Sequence, residues 1–143
     1  MASPLDNLCG PGKSLSPEPP DAKEFAGLNR SGRAQLRDAQ NESNSPEGRF
    51  NLAYGAAHAL SLAALRRLGY RAENRYLVFQ VLPHTLGLGP EVWRVLAKCH
   101  EIRNAAEYEG DVNINERLLA DLIAATKAVV AALDKLPPSA PHR

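Results

Sequence analysis

Apolar residues in this chain recur at spacings of three and four, the period of helices that bury one face. The first such stretch starts at Asp21, which with Glu24 three residues later forms a capping-box-like beginning. The polar run 41–44 ends it, so the pattern predicts a first helix between these two signals. Its apolar positions are Phe25, Leu28, Gly32, Leu36 and Ala39.

The second stretch carries the widest apolar face, which predicts a central helix contacted from more than one side. Ser45 is placed to cap it and Pro46 to occupy its first position, while Gly69 ends it after Leu68 as a left-handed cap. Small residues within it would let a neighbouring helix approach closely: Gly55, Ala56, Ala57 and Ala59. The apolar face itself comprises Phe50, Ala53, Tyr54, Ala57, Leu60, Ala64 and Leu68.

The second half of the chain predicts one interrupted helix and two longer ones. A helix over residues 74–86 should break near Leu82, because Pro83 follows it. The next helix should begin at Gly89-Pro90 and end at Gly110, and Asn113 with Glu116 should begin the last. The inward positions of these two helices are Val92, Leu96, Cys99, Ile102 and Ala106, and then Leu119, Leu122, Ile123, Thr126, Val129, Val130 and Leu133.

These elements predict an all-α protein, an up-and-down bundle of four to five helices over residues 21–136. The 143-residue length suits one domain, no alternating strand pattern of useful length occurs, and short loops favour antiparallel neighbours. Residues 1–20 contain five prolines and little to bury, so they predict a disordered leader. Residues 137–143 predict a short disordered tail, since two prolines stop the helix before them.

The net charge, the lengths of the apolar runs and the cysteine count restrict the classes of function that the chain can have. A net charge of +1 gives no global electrostatic case for nucleic acid, although it permits a local basic patch. No run of about 18 apolar residues and no signal-peptide pattern occurs, so we expect a cytoplasmic protein that does not enter a membrane. Cys9 and Cys99 cannot form a disulfide framework, and mid-helix Cys99 is predicted to be a small buried hydrophobe.

Several chemical motifs are missing from the sequence. It has no phosphate-binding glycine loop, no Gly-x-Ser-x-Gly elbow, no His-Glu-x-x-His pair and no repeated Glu-x-x-His motif. We therefore expect neither a cofactor nor a metal.

The candidate chemistry lies on the helix that ends at Gly110. His100, Arg103 and Glu107 stand at i, i+3 and i+7 along one face, and Asn104 and Tyr108 line its edge. Arginine offers a planar fork suited to phosphate, and the amide and phenol can orient a hydroxyl or leaving group. Two structural alternatives stay open. Arg103 and Glu107 would form only an intrahelical ion pair, and Tyr108 would be a core residue.

A basic string, Arg66, Arg67, Arg71 and Arg75, surrounds the loop after the second helix. It could steer an RNA backbone or an acidic partner, or it could be a solvated helix end that complements the helix dipole. His100 could equally be a partly buried polar residue. His58 and His84 have no recognisable chemical context, so we expect structural roles for both.

Residues 49–109 resemble the HEPN superfamily (higher eukaryotes and prokaryotes nucleotide-binding domain), a group of small helical bundles. One part of the resemblance is the Ala-rich helix that starts Phe50-Asn51-Leu52-Ala53-Tyr54-Gly55-Ala56-Ala57 and leads to Leu68-Gly69-Tyr70-Arg71. The distinctive part is Arg103-Asn104-Ala105-Ala106-Glu107-Tyr108, which is similar to the family's Arg-x(4–6)-His motif and to the Arg-Asn-x-x-Glu-Tyr string of a small bacterial branch.

The resemblance implies a homodimer that brings two copies of the motif together. Many HEPN proteins are metal-independent RNases of toxin or phage-defence systems, in which the Arg engages the scissile phosphate and the His assists transfer of the 2′-hydroxyl. Arg103 and Asn104 match this motif, whereas Tyr108 stands where the His would fall. Tyrosine, with a pKa near 10, is a poor general base at neutral pH. His100 lies one turn before Arg103 and could substitute, although that is not the family's arrangement.

Three hypotheses follow from these observations. The first is a non-catalytic HEPN-like module that binds RNA, a nucleotide or a partner protein, such as an antitoxin-like protein, through this surface. The second is a HEPN endoribonuclease that uses Arg103, Asn104, Tyr108 and His100. The third is a dimeric helical scaffold.

Overall fold

The computed structural model describes residues 4–9, 13–110 and 114–137, and the side chains of residues 107–109 lie outside that description. This part of the chain is built from six α-helices, a short 3-10 turn at Asp6–Leu8 and one two-stranded sheet. The strands are β1 (Leu15–Pro17) and β2 (Tyr70–Ala72). The helices are α1 (Ala22–Ala39), α2 (Pro46–Arg67), α3 (Arg75–Gln80), α4 (Leu82–Thr85), α5 (Pro90–Glu109) and α6 (Glu116–Asp134).

Helices α1 and α2 form an antiparallel hairpin whose ends are set by the predicted caps. The Asp21 carboxylate accepts from the backbone N–H groups of residues 23 and 24, and the Ser45 hydroxyl accepts from that of residue 48. The chain reverses direction between the two helices. Across this turn, Arg49 near the start of α2 donates to the Ala39 carbonyl at the end of α1, 2.8 Å away. Gly69 then adopts a φ of 95°, which confirms the predicted left-handed end of α2.

The predicted break in the third helix is confirmed, and it divides the segment into α3 and α4. Asn74 caps α3, and the chain turns at Val81, immediately before the Leu82–Thr85 helix that contains Pro83. Helix α5 starts at Pro90 and ends at Gly110, which has a φ of 73°, so both predicted ends are confirmed.

The beginning of α6 differs from the prediction. Asn115 is the capping residue, because its side-chain oxygen accepts from the N–H of Leu118 at 2.7 Å, and Glu116 is the first helical residue. Asn113, the predicted cap, lies outside the described residues. The two asparagines are two residues apart, and only the chain path into the helix decides which side chain reaches the exposed N–H groups.

The main core surrounds α2, as its wide apolar face predicted. Phe50, Tyr54 and Leu60 of this helix are at most 1% exposed and pack with residues of α3 to α6. Cys99 is fully buried in the same cluster, which confirms its predicted role as a small hydrophobe. Burial raises the pKa of its thiol to about 12, so the sulfur stays protonated and unreactive.

The N-terminal segment departs from the sequence prediction of a disordered leader over residues 1–20. Leu5 and Leu15 are 3% and 1% exposed and form a second apolar cluster with Leu65, Val78 and Val81. Strand β1 pairs with β2 in antiparallel register, Leu15 opposite Ala72 and Pro17 opposite Tyr70. The strands are three residues long, too short for an alternating pattern to reveal. The tail is described only as far as Pro137.

The basic string also differs from a solvated helix end. Arg66 is 2% exposed, and its guanidinium donates to the Glu24 carboxylate at 2.5 Å and to the carbonyls of Glu18, Pro19 and Tyr70. Arg71 donates to both carboxylates, those of Glu18 and Glu24, at 2.8 Å. These side chains therefore hold the leader against α1 and α2. Among the four arginines, Arg75 stands apart on α3.

Candidate functional site

Three of the four predicted site residues lie together on α5. His100 and Asn104 are one turn apart, and the Asn104 amide nitrogen is 3.1 Å from His100 Nε2. Arg103 lies beside them, and all three side chains are half-buried. The Tyr108 and Glu107 side chains lie outside the described residues, so the predicted roles of both remain predictions.

Tyr54 of α2 completes this group, because its hydroxyl oxygen is 2.7 Å from His100 Nδ1. Its ring is 1% exposed and meets Phe79 of α3 edge-on, with 5.9 Å between ring centroids. A buried tyrosine needs a partner for its hydroxyl, and His100 supplies it from the facing helix. The Tyr54–His100 contact thereby fixes how α2 and α5 sit against each other.

Both nitrogens of the His100 ring are engaged by these neighbours. In a neutral imidazole one nitrogen donates and the other accepts, and the Tyr54 hydroxyl and the Asn104 amide can satisfy one each. His100 is therefore held in a fixed orientation. A general base must instead reach the proton it removes from a substrate. His100 thus holds the Tyr54 hydroxyl and the Asn104 amide in the described structure, and its predicted catalytic role stays a prediction.

Arg103 extends from this group over the face of Tyr54, with its guanidinium carbon 5.1 Å from the ring centroid. A cation above an aromatic face is attracted to the ring, and the contact restricts where the guanidinium points. On its other side Arg103 lines an open pocket of about 330 Å³ between α2, α3 and α5. The pocket lining comprises Glu47, Phe50, Asn51, Tyr54, Gly55, Arg75, Arg103 and Ala106.

The pocket brings together two arginines that are distant in sequence. Arg75 opens α3 and Arg103 lies in the last two turns of α5. Their charges act together on His58, whose pKa falls to about 4, first because the ring is buried and then because Arg75, His100 and Arg103 lie near it. His58 also packs edge-on against Phe79, with 6.1 Å between centroids. His58, which does not line the pocket, is thus a neutral imidazole near two cations.

Sequence reasoning identified only part of this site. Arg103 lines the pocket, whereas His100 contacts Tyr54 and Asn104 contacts His100. Tyr54 was predicted as part of the apolar face of the second helix, and Glu47 and Asn51 were given no role, although the spacing of four and three puts these three residues on one face. Arg75 was grouped with Arg66 and Arg71, which contact the leader. His84 is exposed on α4, away from the pocket lining.

Neither a metal site nor a membrane-spanning helix is found in the described part of the chain. No group of three or more His, Cys, Asp or Glu side chains there is arranged to hold a metal ion. None of its helices combines the length and the apolar character that crossing a bilayer requires. No protein-family model, curated protein or solved structure matches this chain.

Proposed function

We propose that this chain is a HEPN-like module that binds a phosphate group, of single-stranded RNA or of a nucleotide, in the pocket between α2, α3 and α5. The observation that supports this most is that Arg75 and Arg103, from separate helices, line the same pocket of about 330 Å³. Guanidinium groups recognise phosphate through paired N–H donors, and two of them converging favour an anion over a neutral ligand.

The orientation of Arg103 adds to this argument. A flexible arginine loses side-chain entropy when it binds, and the stack on Tyr54 has already restricted the Arg103 side chain. Tyr54 is itself held by His100, which contacts Asn104. The Arg-Asn pair that resembles the HEPN motif would thus act through two routes: Arg103 contacts the ligand, and Asn104 orients the residues behind it.

We place binding ahead of catalysis because no side chain described at the site is poised as a general base. Both ring nitrogens of His100 are engaged, and the pKa of His58, lowered to about 4, makes that imidazole a weak base. The HEPN resemblance extends the proposal to a homodimer and to a toxin–antitoxin or defence setting with an antitoxin-like partner.

Binding of a fluorescent single-stranded oligoribonucleotide to the full chain tests the proposal. Arg103→Ala and Arg75→Ala should each weaken binding about tenfold or more, since each removes a charged hydrogen bond to phosphate. Arg37→Ala is the matched control. That arginine is exposed, as Arg75 is, but it lies at the end of α1, away from the pocket lining, and its loss should leave binding nearly unchanged.

Other outcomes separate the alternative functions. Cleavage of the RNA in the presence of EDTA, abolished by Arg103→Ala, would replace the binding module with a metal-independent endoribonuclease. Equal binding by wild type and both pocket variants would reject the phosphate site. If light scattering then showed a dimer that binds no RNA, the scaffold hypothesis would be favoured.

A further inference from the structure

The pocket has three exposed polar side chains that a ligand can reach. Glu47, Asn51 and Arg75 all line it, yet none forms a hydrogen bond or ion pair with another residue in the described parts of the chain. Glu47 and Arg75 do not pair with each other, so each can contact a ligand in the pocket.

The charges are ordered along the pocket. Glu47 lies in the first turn of α2 and Asn51 in the next, whereas Tyr54, with Arg103 above its ring, lies a further turn on. Two turns separate Glu47 from Tyr54, which is about 10 Å along the helix axis. Arg75 lines the same pocket from the first residue of α3, and Arg103 lies about two helical turns from the Glu47 carboxylate. The pocket therefore has an anionic end and a cationic end.

The middle of the pocket is less polar. Phe50 lines it there, since Phe50 lies between Glu47 and Tyr54 on α2, and Ala106 is a further apolar residue of the lining. A ligand that matches this order of groups along the pocket carries phosphate at one end, a flat body in the middle, and hydrogen-bond donors at the other end. A nucleotide whose base bears an exocyclic amino group has this form.

We propose that Glu47, assisted by Asn51, reads the base of a bound nucleotide and selects one with an exocyclic amino group, such as cytosine. This inference rests on the proposed function, because it requires the phosphate to lie at Arg75 and Arg103. Carboxylates accept from the N4 amino group of cytosine. The uracil ring presents an oxygen at that place, and the two acceptors would repel each other.

Titration of the full chain with CMP and with UMP tests the inference, since the two ligands share ring size and phosphate. We expect CMP to bind about tenfold more tightly, the effect of one hydrogen bond to a charged group. Glu47→Ala should bring the ratio close to one. Removal of the Glu47 charge will also strengthen phosphate binding, but equally for both nucleotides. This effect therefore cancels in the ratio of the CMP and UMP affinities.

Glu91→Ala is the control, because Glu91 is likewise an exposed carboxylate in the first turn of a helix, and it does not line the pocket. It should keep the wild-type ratio. Asn51→Ala gives a second variant, expected to lower the ratio partly. Equal binding of CMP and UMP by wild type, or an unchanged ratio in Glu47→Ala, overturns the base-reading inference while phosphate binding stands. If neither nucleotide binds and Arg103→Ala leaves RNA binding intact, the proposed function fails with it.

Discussion

His58 shows how the surroundings of one residue set its chemistry. Its ring packs on Phe79 and lies near Arg75, His100 and Arg103, and burial together with these neighbours lowers its pKa from 6.5 to about 4. The imidazole is therefore neutral in the folded protein at neutral pH. The sequence predicted only a structural role, because the cations that surround His58 come from α3 and α5.

This shift makes stability depend on pH in a defined window. The unfolded chain takes up a proton at His58 below pH 6.5, while the folded chain does so only near pH 4. The free energy of unfolding should therefore fall as pH drops from about 6.5 to about 4, by on the order of 3 kcal/mol. Urea unfolding at several pH values measures it. His58→Gln should flatten this slope, and His84→Gln, at an exposed position, should not.

At the scale of elements, α1 and α2 approach closely where α1 carries a glycine. A Cβ atom on Gly32 would lie 2.6 Å from Cγ of Leu60, which is fully buried on α2. The apolar spacing of α1 predicted that Gly32 faces the core. Which α2 residue it meets depends on how the two helices pack, since close contact of this kind is a property of the pair.

Substitution of two glycines in α1 separates this packing effect from helix propensity. Gly27→Ala should stabilise the protein by about 0.5–1 kcal/mol, because nothing lies within 4 Å of the added Cβ and alanine favours a helix. Gly32→Ala gains the same propensity but must displace Leu60, so we expect a net loss of about 1–2 kcal/mol. Denaturant unfolding of both variants checks the opposite signs. Equal stabilisation would show that Leu60 moves aside without cost.

For the whole molecule, the cluster around Arg66 joins the leader to the bundle. Arg66 and Arg71 bind the carboxylates of Glu18 and Glu24, one from the leader and one from α1. Hydrogen bonds from Arg71 are the main cause that lowers the pKa of both carboxyl groups. Their contribution to stability is therefore present above pH 4.5 and is lost as the pH falls further below it.

Removal of the buried guanidinium should loosen this assembly. Arg66→Met leaves the carbonyls of Glu18, Pro19 and Tyr70 without their donor, and we expect a loss of about 3 kcal/mol in the free energy of unfolding. Arg67→Met at the next position removes only a cation over Phe25, at 5.2 Å, and should cost less than about 1 kcal/mol. Chemical denaturation measures the free energy of unfolding of both variants. Similar losses would contradict the prediction that the buried Arg66 contributes more stability than Arg67.

Local signals in the sequence predicted most of the helix ends. The caps at Asp21 and Ser45, the break near Pro83 and the glycine ends at residues 69 and 110 act within one or two turns, so each can be recognised without the rest of the chain. The cap of α6, Asn115, is the exception. The periodic apolar stripes likewise determine which helix faces are buried. The face of α5 that carries His100, Arg103 and Asn104 follows from the same spacing.

Only the tertiary structure decided what these residues meet. Tyr54 and His100 are 46 positions apart, and Arg66 and Glu24 are 42 apart, and no local spacing predicts that either pair forms. The packing of Leu5 and Leu15 depends on an apolar surface that Leu65 and Val78 form only when α2 and α3 are packed together. The pocket likewise exists only where α2, α3 and α5 converge, because its charge pattern is the sum of side chains that each look ordinary on their own helix.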